Sequence, residues 1–187
     1  MNKIRYAIIG TGAMGREHIR NIELINNAEV SALCDSNKPS IDASLEVLGK
    51  NVPTYESHID LMNADIADAY IIATPNFTHI DVLRDLTKTN AHLLIEKPLC
   101  TTVKDCKEFK KNTSNYSGLI WTGMEYRYMP PLVRFIEEIH KGTIGDLKML
   151  TIREHRKPFL VKVDDWNRFA KNSGGTLVEK CCHFFDL

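Results

Sequence analysis

The stretch Tyr6-Ala-Ile-Ile-Gly10-Thr-Gly12-Ala-Met-Gly15 decides the reading of this chain. Its first four residues are a short apolar run closed by glycine, the pattern of a strand buried on both faces of a parallel sheet. Gly10-Thr11-Gly12-Ala13-Met14-Gly15 follows as G-x-G-x-x-G, and Met14, Ile19, Ile22 and Ile25 then fall at approximately helical spacing. Asp35 stands 20 residues beyond Gly15, at the end of a second strand read over residues 29–33. Each part has a mechanical reason. Gly10 permits the tight turn, and Gly12, having no side chain, lets the backbone approach a pyrophosphate. Gly15 allows close packing of helix on strand. The helix N-terminus supplies free N–H donors and the positive end of its dipole. Asp35 is placed to accept hydrogen bonds from the adenosine ribose hydroxyls. A carboxylate there repels a 2′-phosphate, so the expected cofactor is NAD in preference to NADP, although Lys38 lies close enough to assist a phosphate.

Outward from this stretch the pattern repeats. A helix is read over residues 40–48, a short strand over 52–55, a buried strand over 69–73 and a helix over 78–88. A strand over 92–95, a helix over 102–111 and a strand over 118–122 follow. Alternating strands and helices with short connections predict an α/β fold, a Rossmann-type doubly wound parallel sheet, over residues 1–122. From residue 123 the character changes. Pro130 and Pro131 open an amphipathic helix through His140, Gly142 and Gly145 close it, and residues 147–154 read as a longer strand. The apolar-rich stretch 176–187 reads as a helix that the chain leaves without a C-cap signal. Residues 123–187 are therefore expected to be the beginning of a second domain, incomplete in a truncated chain or fragment.

Composition narrows the function. Twenty-four basic residues balance 24 acidic ones, which gives no electrostatic case for nucleic acid or an anionic membrane surface. No apolar run approaches the roughly 18 residues of a membrane span, and no signal-peptide pattern opens the chain. Cys34, Cys100, Cys106, Cys181 and Cys182 have neither disulfide-framework nor zinc-ligand spacing, so they are expected to be unpaired thiols, with no metal site. These features predict a soluble, cytoplasmic protein.

Two further clusters sit where open parallel sheets bind ligands, at the carboxyl ends of strands. Thr74-Pro75-Asn76 follows the strand at 69–73, and Glu96-Lys97-Pro98 follows the strand at 92–95. Pro98 restricts Lys97 to extended or turn conformations and so fixes its direction. Local sequence leaves Lys97 open between a solvated loop lysine and a site residue. His18, His58, His140 and His155 read as surface or structural, and His92 as capping or beginning a strand. Trp166 and Asp164-Asp165 fall in a loop on the substrate side; consecutive carboxylates rarely face each other across a bond, which argues against glycosidase chemistry. Arg153, Arg156 and Lys157 read as lining a solvated strand edge, with contact to an acidic substrate as the other reading.

The glycine motif, Asp35, Ala73-Thr-Pro-Asn76 with His79, Glu96-Lys97-Pro98, Gly123 with Arg127, and Gly174-Gly175 before His183 occur in this order. Together they resemble the family of glucose–fructose oxidoreductase, inositol dehydrogenase and rhizopine catabolism proteins (Gfo/Idh/MocA), from residue 4 to the last residue. The resemblance implies a Rossmann domain followed by an α+β domain with an open, mostly antiparallel sheet that often forms an oligomer interface, and hence a homo-oligomeric full-length form. It implies that Lys97 matches the catalytic lysine and His183 the later histidine. Glu179 stands where the family has an aspartate, four residues before that histidine. Arg127 matches an arginine near substrate or nicotinamide, and Thr74, Pro75, Asn76, His79 and Glu96 fall with the cofactor-binding positions. The implied activity is hydride transfer between NAD(H) and a secondary alcohol or ketone of a small polyol, sugar or inositol-like substrate. His183 is then the general base, Lys97 binds the hydroxyl and relays the proton, and Glu179 orients. Two alternatives stand beside it: a non-catalytic dinucleotide-binding relative, and a reductase of another carbonyl-type substrate such as an imine, an unsaturated tetrapyrrole or a dihydrodiol.

Overall fold

A computed structural model describes residues 3–155 and 161–187. Strands β1 (Ile4–Ile9), β2 (Ala28–Cys34), β3 (Thr54–Tyr55), β4 (Ala69–Ile72), β5 (His92–Ile95) and β6 (Ile120–Thr122) form one sheet in the order β3-β2-β1-β4-β5-β6. Every pairing is parallel. The chain winds outward from β1 in one direction through β2 and β3, then returns to β4 beside β1 and winds the other way. The reversal leaves a crevice beyond the carboxyl ends of β1 and β4.

Helices α1 (Ala13–Glu23) and α2 (Lys38–Leu48) cover one face of the sheet, where Ile8, Ile19, Ile22, Leu33, Leu48 and Ile71 are packed together. The opposite face is covered by α3 (His58–Asn63), α4 (His79–Leu86) and α5 (Val103–Asn112), whose Leu61, Leu83, Leu86 and Phe109 pack against Ile9, Ile72, Leu93 and Ile95. Helix starts follow the local chemistry. The Asn37 side chain accepts from Ser40 N at 3.0 Å, so α2 begins at Lys38 with Pro39 in its first turn, and Thr102 Oγ1 accepts from Asp105 N at 3.1 Å to open α5. By contrast α1 has Gly12 at its N-cap position and no side-chain cap, which keeps its first N–H groups for another partner.

The turn between β1 and α1 is the tightest packing in the sheet. Gly10 has φ +93°, and a Cβ there would lie 2.5 Å from the Ala73 carbonyl carbon. A Cβ on Gly15 would lie 2.1 Å from the Gly10 oxygen and 3.3 Å from Ile8 Cγ2. The helix rests on the turn because neither residue has a side chain.

Beyond β6 the architecture departs from expectation in two places. Helix α6 (Pro130–His140) forms as the two prolines and the apolar spacing predict, but residues 147–154 are not a strand. A strand needs a partner, and among the described residues none pairs with this stretch. Instead Leu147, Leu150 and Ile152 lie along the apolar face of α6 around a cavity of about 270 Å³, with Phe184 and Leu187 at its end. The expected antiparallel sheet is thus absent among the described residues. The stretch 176–187 is two short helices, not one: α7 (Ala170–Ser173) leads into α8 (Thr176–Glu179) and α9 (Cys182–Asp186). The Thr176 oxygen takes both Lys180 N (2.9 Å) and Cys181 N (3.2 Å), and the Glu179 carbonyl is turned to the Lys97 ammonium at 3.2 Å, so the ladder breaks between them. Arg156 and Lys157 lie outside the described residues.

Gly15→Ala is expected to destabilise the fold by about 1–3 kcal/mol, the cost of overpacking against rigid backbone. Circular dichroism melting should show a fall of several degrees; an unchanged melting temperature would contradict this account of the turn.

Candidate functional site

A cleft of about 1400 Å³ opens at the carboxyl ends of β1, β2, β4 and β5. Its floor at one end is Gly10, Gly12, Ala13 and Met14, with Asp35 beside them. The Asp35 carboxylate is held by Thr11 N (2.7 Å) and Thr11 Oγ1 (3.1 Å) on one oxygen, and by Asn37 N (2.9 Å) on the other. A carboxylate fixed this way still has lone pairs for two hydroxyls. Thr11 is fully buried, its oxygen accepting from Ser44 Oγ at 2.9 Å and Arg16 Nη1 at 3.0 Å, so it shapes the loop from behind. Gly15 is likewise buried behind the turn.

Gly12 differs from its neighbours: a Cβ there would meet nothing within 4 Å. Its missing side chain therefore serves no internal packing. An uncapped helix N-terminus, an open glycine and a fixed carboxylate at the next strand end fit the pyrophosphate and ribose of a dinucleotide.

At the other end Thr74, Pro75, Asn76, Glu96 and Lys97 line the cleft, opposite Glu179 and His183. Burial would raise the Glu96 pKa, but the hydrogen bond from His18 (2.7 Å), the His18 charge and the nearby Lys97 ammonium outweigh it and hold the carboxyl below its ordinary range. That bond ties the glycine-loop helix to the lysine loop, which gives His18 the structural role read for it. The Lys97–Pro98 peptide is cis. His183 is 2% exposed and stacked on Tyr126, ring centroids 4.0 Å apart and planes within 6°. Its Nε2 lies 3.5 Å from Glu125 Oε1. Glu179 is 8% exposed. Although they sit on α8 and α9 and not on one continuous helix, both face the cleft with Lys97, whose Nζ reaches the Glu179 carbonyl.

Two expected residues stand elsewhere. His79 is wholly buried behind the cleft, its Nδ1 2.9 Å from Pro98 O and its Nε2 3.0 Å from Thr74 O. It braces the two ligand-side loops from beneath and touches no ligand space. Burial outweighs the pull of the surrounding carbonyls and pushes its pKa below the ordinary histidine value. Arg127 does not line the cleft, because Asp186 takes its guanidinium, with Nε 2.7 Å from Oδ2. Glu125, Tyr126 and Lys162 were not singled out from the sequence, yet Glu125 and Lys162 line the cleft and Tyr126 supports His183. The available signal was position: Glu125 and Tyr126 follow the carboxyl end of β6, as Lys97 follows β5. Trp166, Asp164 and His155 also line it, and His92 begins β5, its Nδ1 accepting from Leu119 N at 3.0 Å. The five cysteines are free, and burial pushes the Cys34 and Cys100 thiols up to about 12, leaving them unreactive. Among the described residues no group of three His, Cys, Asp or Glu is arranged to hold a metal, and no helix is long and apolar enough to cross a membrane.

A doubly wound sheet with this glycine turn, uncapped helix and strand-end carboxylate defines a Rossmann-type dinucleotide-binding protein. The chain matches the family model described as "Oxidoreductase family, NAD-binding Rossmann fold" over residues 4–124, and the family's C-terminal alpha/beta domain over residues 136–187. It belongs to the Gfo/Idh/MocA oxidoreductase family. Among curated proteins it is 27% identical to the rhizopine catabolism protein MocA of Rhizobium meliloti, matching 100% of this chain and 56% of that protein. It is 26% identical to a myo-inositol 2-dehydrogenase of Thermotoga maritima, over 98% of this chain and 53% of the other. Among solved structures, the myo-inositol dehydrogenase of Lactobacillus casei in complex with NAD(H) and myo-inositol aligns with a TM-score of 0.72 at 27% identity, over 76% of this chain and 43% of that one. An NAD-binding protein from Listeria innocua aligns with a TM-score of 0.80 at 22% identity, over 99% and 53%, a likeness of fold alone. The chain spans about half the length of the curated relatives it matches.

Because Gly12 packs against nothing, Gly12→Ala should leave the melting temperature unchanged while weakening dinucleotide binding about tenfold or more, as a methyl placed under a pyrophosphate forfeits backbone hydrogen bonds worth ~1.5–3 kcal/mol. Equal affinity for the two proteins in a fluorescence titration would contradict the role given to Gly12.

Proposed function

We propose that the protein is the cofactor-binding part, with the start of the substrate-binding part, of an NAD-dependent dehydrogenase acting on a secondary alcohol of a small polyol, sugar or inositol-like compound. The observation that carries the reading is the convergence of Lys97, Glu179 and His183 on the same cleft that holds Asp35 at its far end. Residues 1–122 act as the NAD-binding domain and residues 123–187 as part of a substrate and oligomerisation domain. The full-length protein works as a homo-oligomer in the cytoplasm. The inositol dehydrogenases among its relatives support the substrate class.

NAD, when bound, supplies the hydride acceptor. The chain's own residues manage orientation and the proton. Gly12, Ala13 and Met14 bind the pyrophosphate through backbone N–H groups, Gly10, whose N–H donates to Cys34 O at 2.8 Å, makes the turn beneath it, and Asp35 accepts from the ribose hydroxyls. Thr74, Pro75, Asn76 and Glu96 wall the nicotinamide end. Lys97 donates a hydrogen bond to the substrate oxygen and stabilises the negative charge that gathers there as the O–H bond breaks. His183 takes that proton onto a ring nitrogen as the carbon loses hydride, so that alcohol becomes ketone and imidazole becomes imidazolium. The stacked Tyr126 ring fixes the imidazole plane, and the Glu125 carboxylate, 3.5 Å away, stabilises the positive ring. Glu179 orients the substrate.

Titration of the folded chain with NADH and NADPH, followed by energy transfer from tryptophan, is expected to show saturable binding that favours NADH. Asp35→Ala should bring the two affinities together within about tenfold by removing the charge that repels the 2′-phosphate. A folded chain that binds neither nucleotide would overturn the reading. In the full-length protein Lys97→Ala should lower turnover about a hundredfold or more while sparing NADH affinity; unchanged turnover would remove Lys97 from the chemistry.

A further inference from the structure

Lys162 enters the cleft from the stretch that precedes the short 3₁₀ helix at residues 163–168. Its side chain is half-buried, and among the described residues no carboxylate pairs with its ammonium. The charged groups that act on it are Lys97, Glu179, Glu96 and Arg16. Burial is the largest influence on Lys162, lowering its pKa, and Lys97 lowers it further. Two ammonium groups therefore share the end of the cleft where the substrate would sit, and one of them is partly stripped of water without a hydrogen-bonded acceptor. Burying a charge in this way is unfavourable unless a counter-charge arrives.

The fixed carboxylates do not meet that need. Glu96 is already taken by His18 at 2.7 Å. Glu179 acts on Lys162 through its charge but forms no ion pair with it, so among the described residues no fixed carboxylate is hydrogen-bonded to the Lys162 ammonium. Glu125 and Glu154 line the cleft too, Glu125 beside His183 and Glu154 accepting from Tyr126 Oη at 2.8 Å. Asp164 is directed by a backbone at φ +54° and is exposed.

We propose that Lys162 is a substrate-binding residue that seats a carboxylate, and that the substrate is a polyhydroxy acid bearing its reacting secondary hydroxyl close to an ionised carboxyl group. Lys97 then meets the hydroxyl and Lys162 the carboxylate, fixing which carbon faces the cofactor. The inference rests on the dehydrogenase reading and narrows its substrate class from neutral polyol to sugar acid.

Gluconate and glucitol share a carbon skeleton and differ in the carboxylate, so they isolate the feature at issue. Calorimetric titration of the chain saturated with NAD is expected to show gluconate binding about tenfold or more tighter than glucitol, the worth of one charge-assisted hydrogen bond. Lys162→Gln should abolish that preference without changing NAD affinity or melting temperature, and Lys162→Arg should keep it. A wild-type chain that binds NAD but does not prefer gluconate overturns the carboxylate seat and leaves the dehydrogenase reading intact. Loss of NAD affinity in Lys162→Gln with the preference kept overturns it as well, since the ammonium then serves the cofactor pyrophosphate. A folded chain that fails to bind NAD overturns both readings together.

Discussion

The close approach of α1 to the turn after β1 is the constraint on which the site depends. With no Cβ on Gly10 or Gly15, the helix start sits against the ends of both β1 and β4, since the same turn touches Ala73 and Thr74. One steric permission therefore sets three things: the aim of the free N–H groups, the position of Thr11 against Asp35, and the origin of the loop carrying Thr74 to Asn76. A bulkier residue at either glycine would separate the helix from the sheet and pull these apart.

From that fixed point the remaining site is tied together by polar struts. His18 on α1 reaches Glu96 beside Lys97, and His79 joins Thr74 to Pro98 from below. Lys97 in turn reaches the Glu179 carbonyl, so the lysine loop positions α8, and Asn76 Nδ2 donates to Ser173 O at 3.4 Å. The last two of these bonds link the loops after β4 and β5 to residues 173–179. The cofactor end is built on packed sheet and helix, whereas the substrate end is held by hydrogen bonds, a division suited to one constant ligand and one that varies across a family.

The parallel sheet and its cofactor end were legible because their signals are local. Apolar runs such as Tyr6–Ile9 and Ala69–Ile72 are buried on both faces, and the glycines, Asp35 and Lys97 are marked by strand ends. His79 and Arg127 lie outside the cleft, because a motif fixes where a residue lies along the chain but not which way it faces. Burial between two carbonyls claims the first, and Asp186, 59 residues away in sequence, claims the second. Residues 147–154 have the composition of a strand, but strand formation is a pairing event that one segment cannot complete. Lys162 was passed over for a similar reason: nothing beside it in sequence announces Lys97, Glu96 and Arg16, which only the fold brings near.

The most direct test is a crystal structure of the chain grown with NADH. The account predicts the adenosine ribose hydroxyls on Asp35, the pyrophosphate over Gly12 to Met14, and the nicotinamide ring between Thr74–Asn76 and the group formed by Lys97, Glu179 and His183. A dinucleotide bound outside this cleft, or one whose nicotinamide lies away from Lys97 and His183, would contradict it.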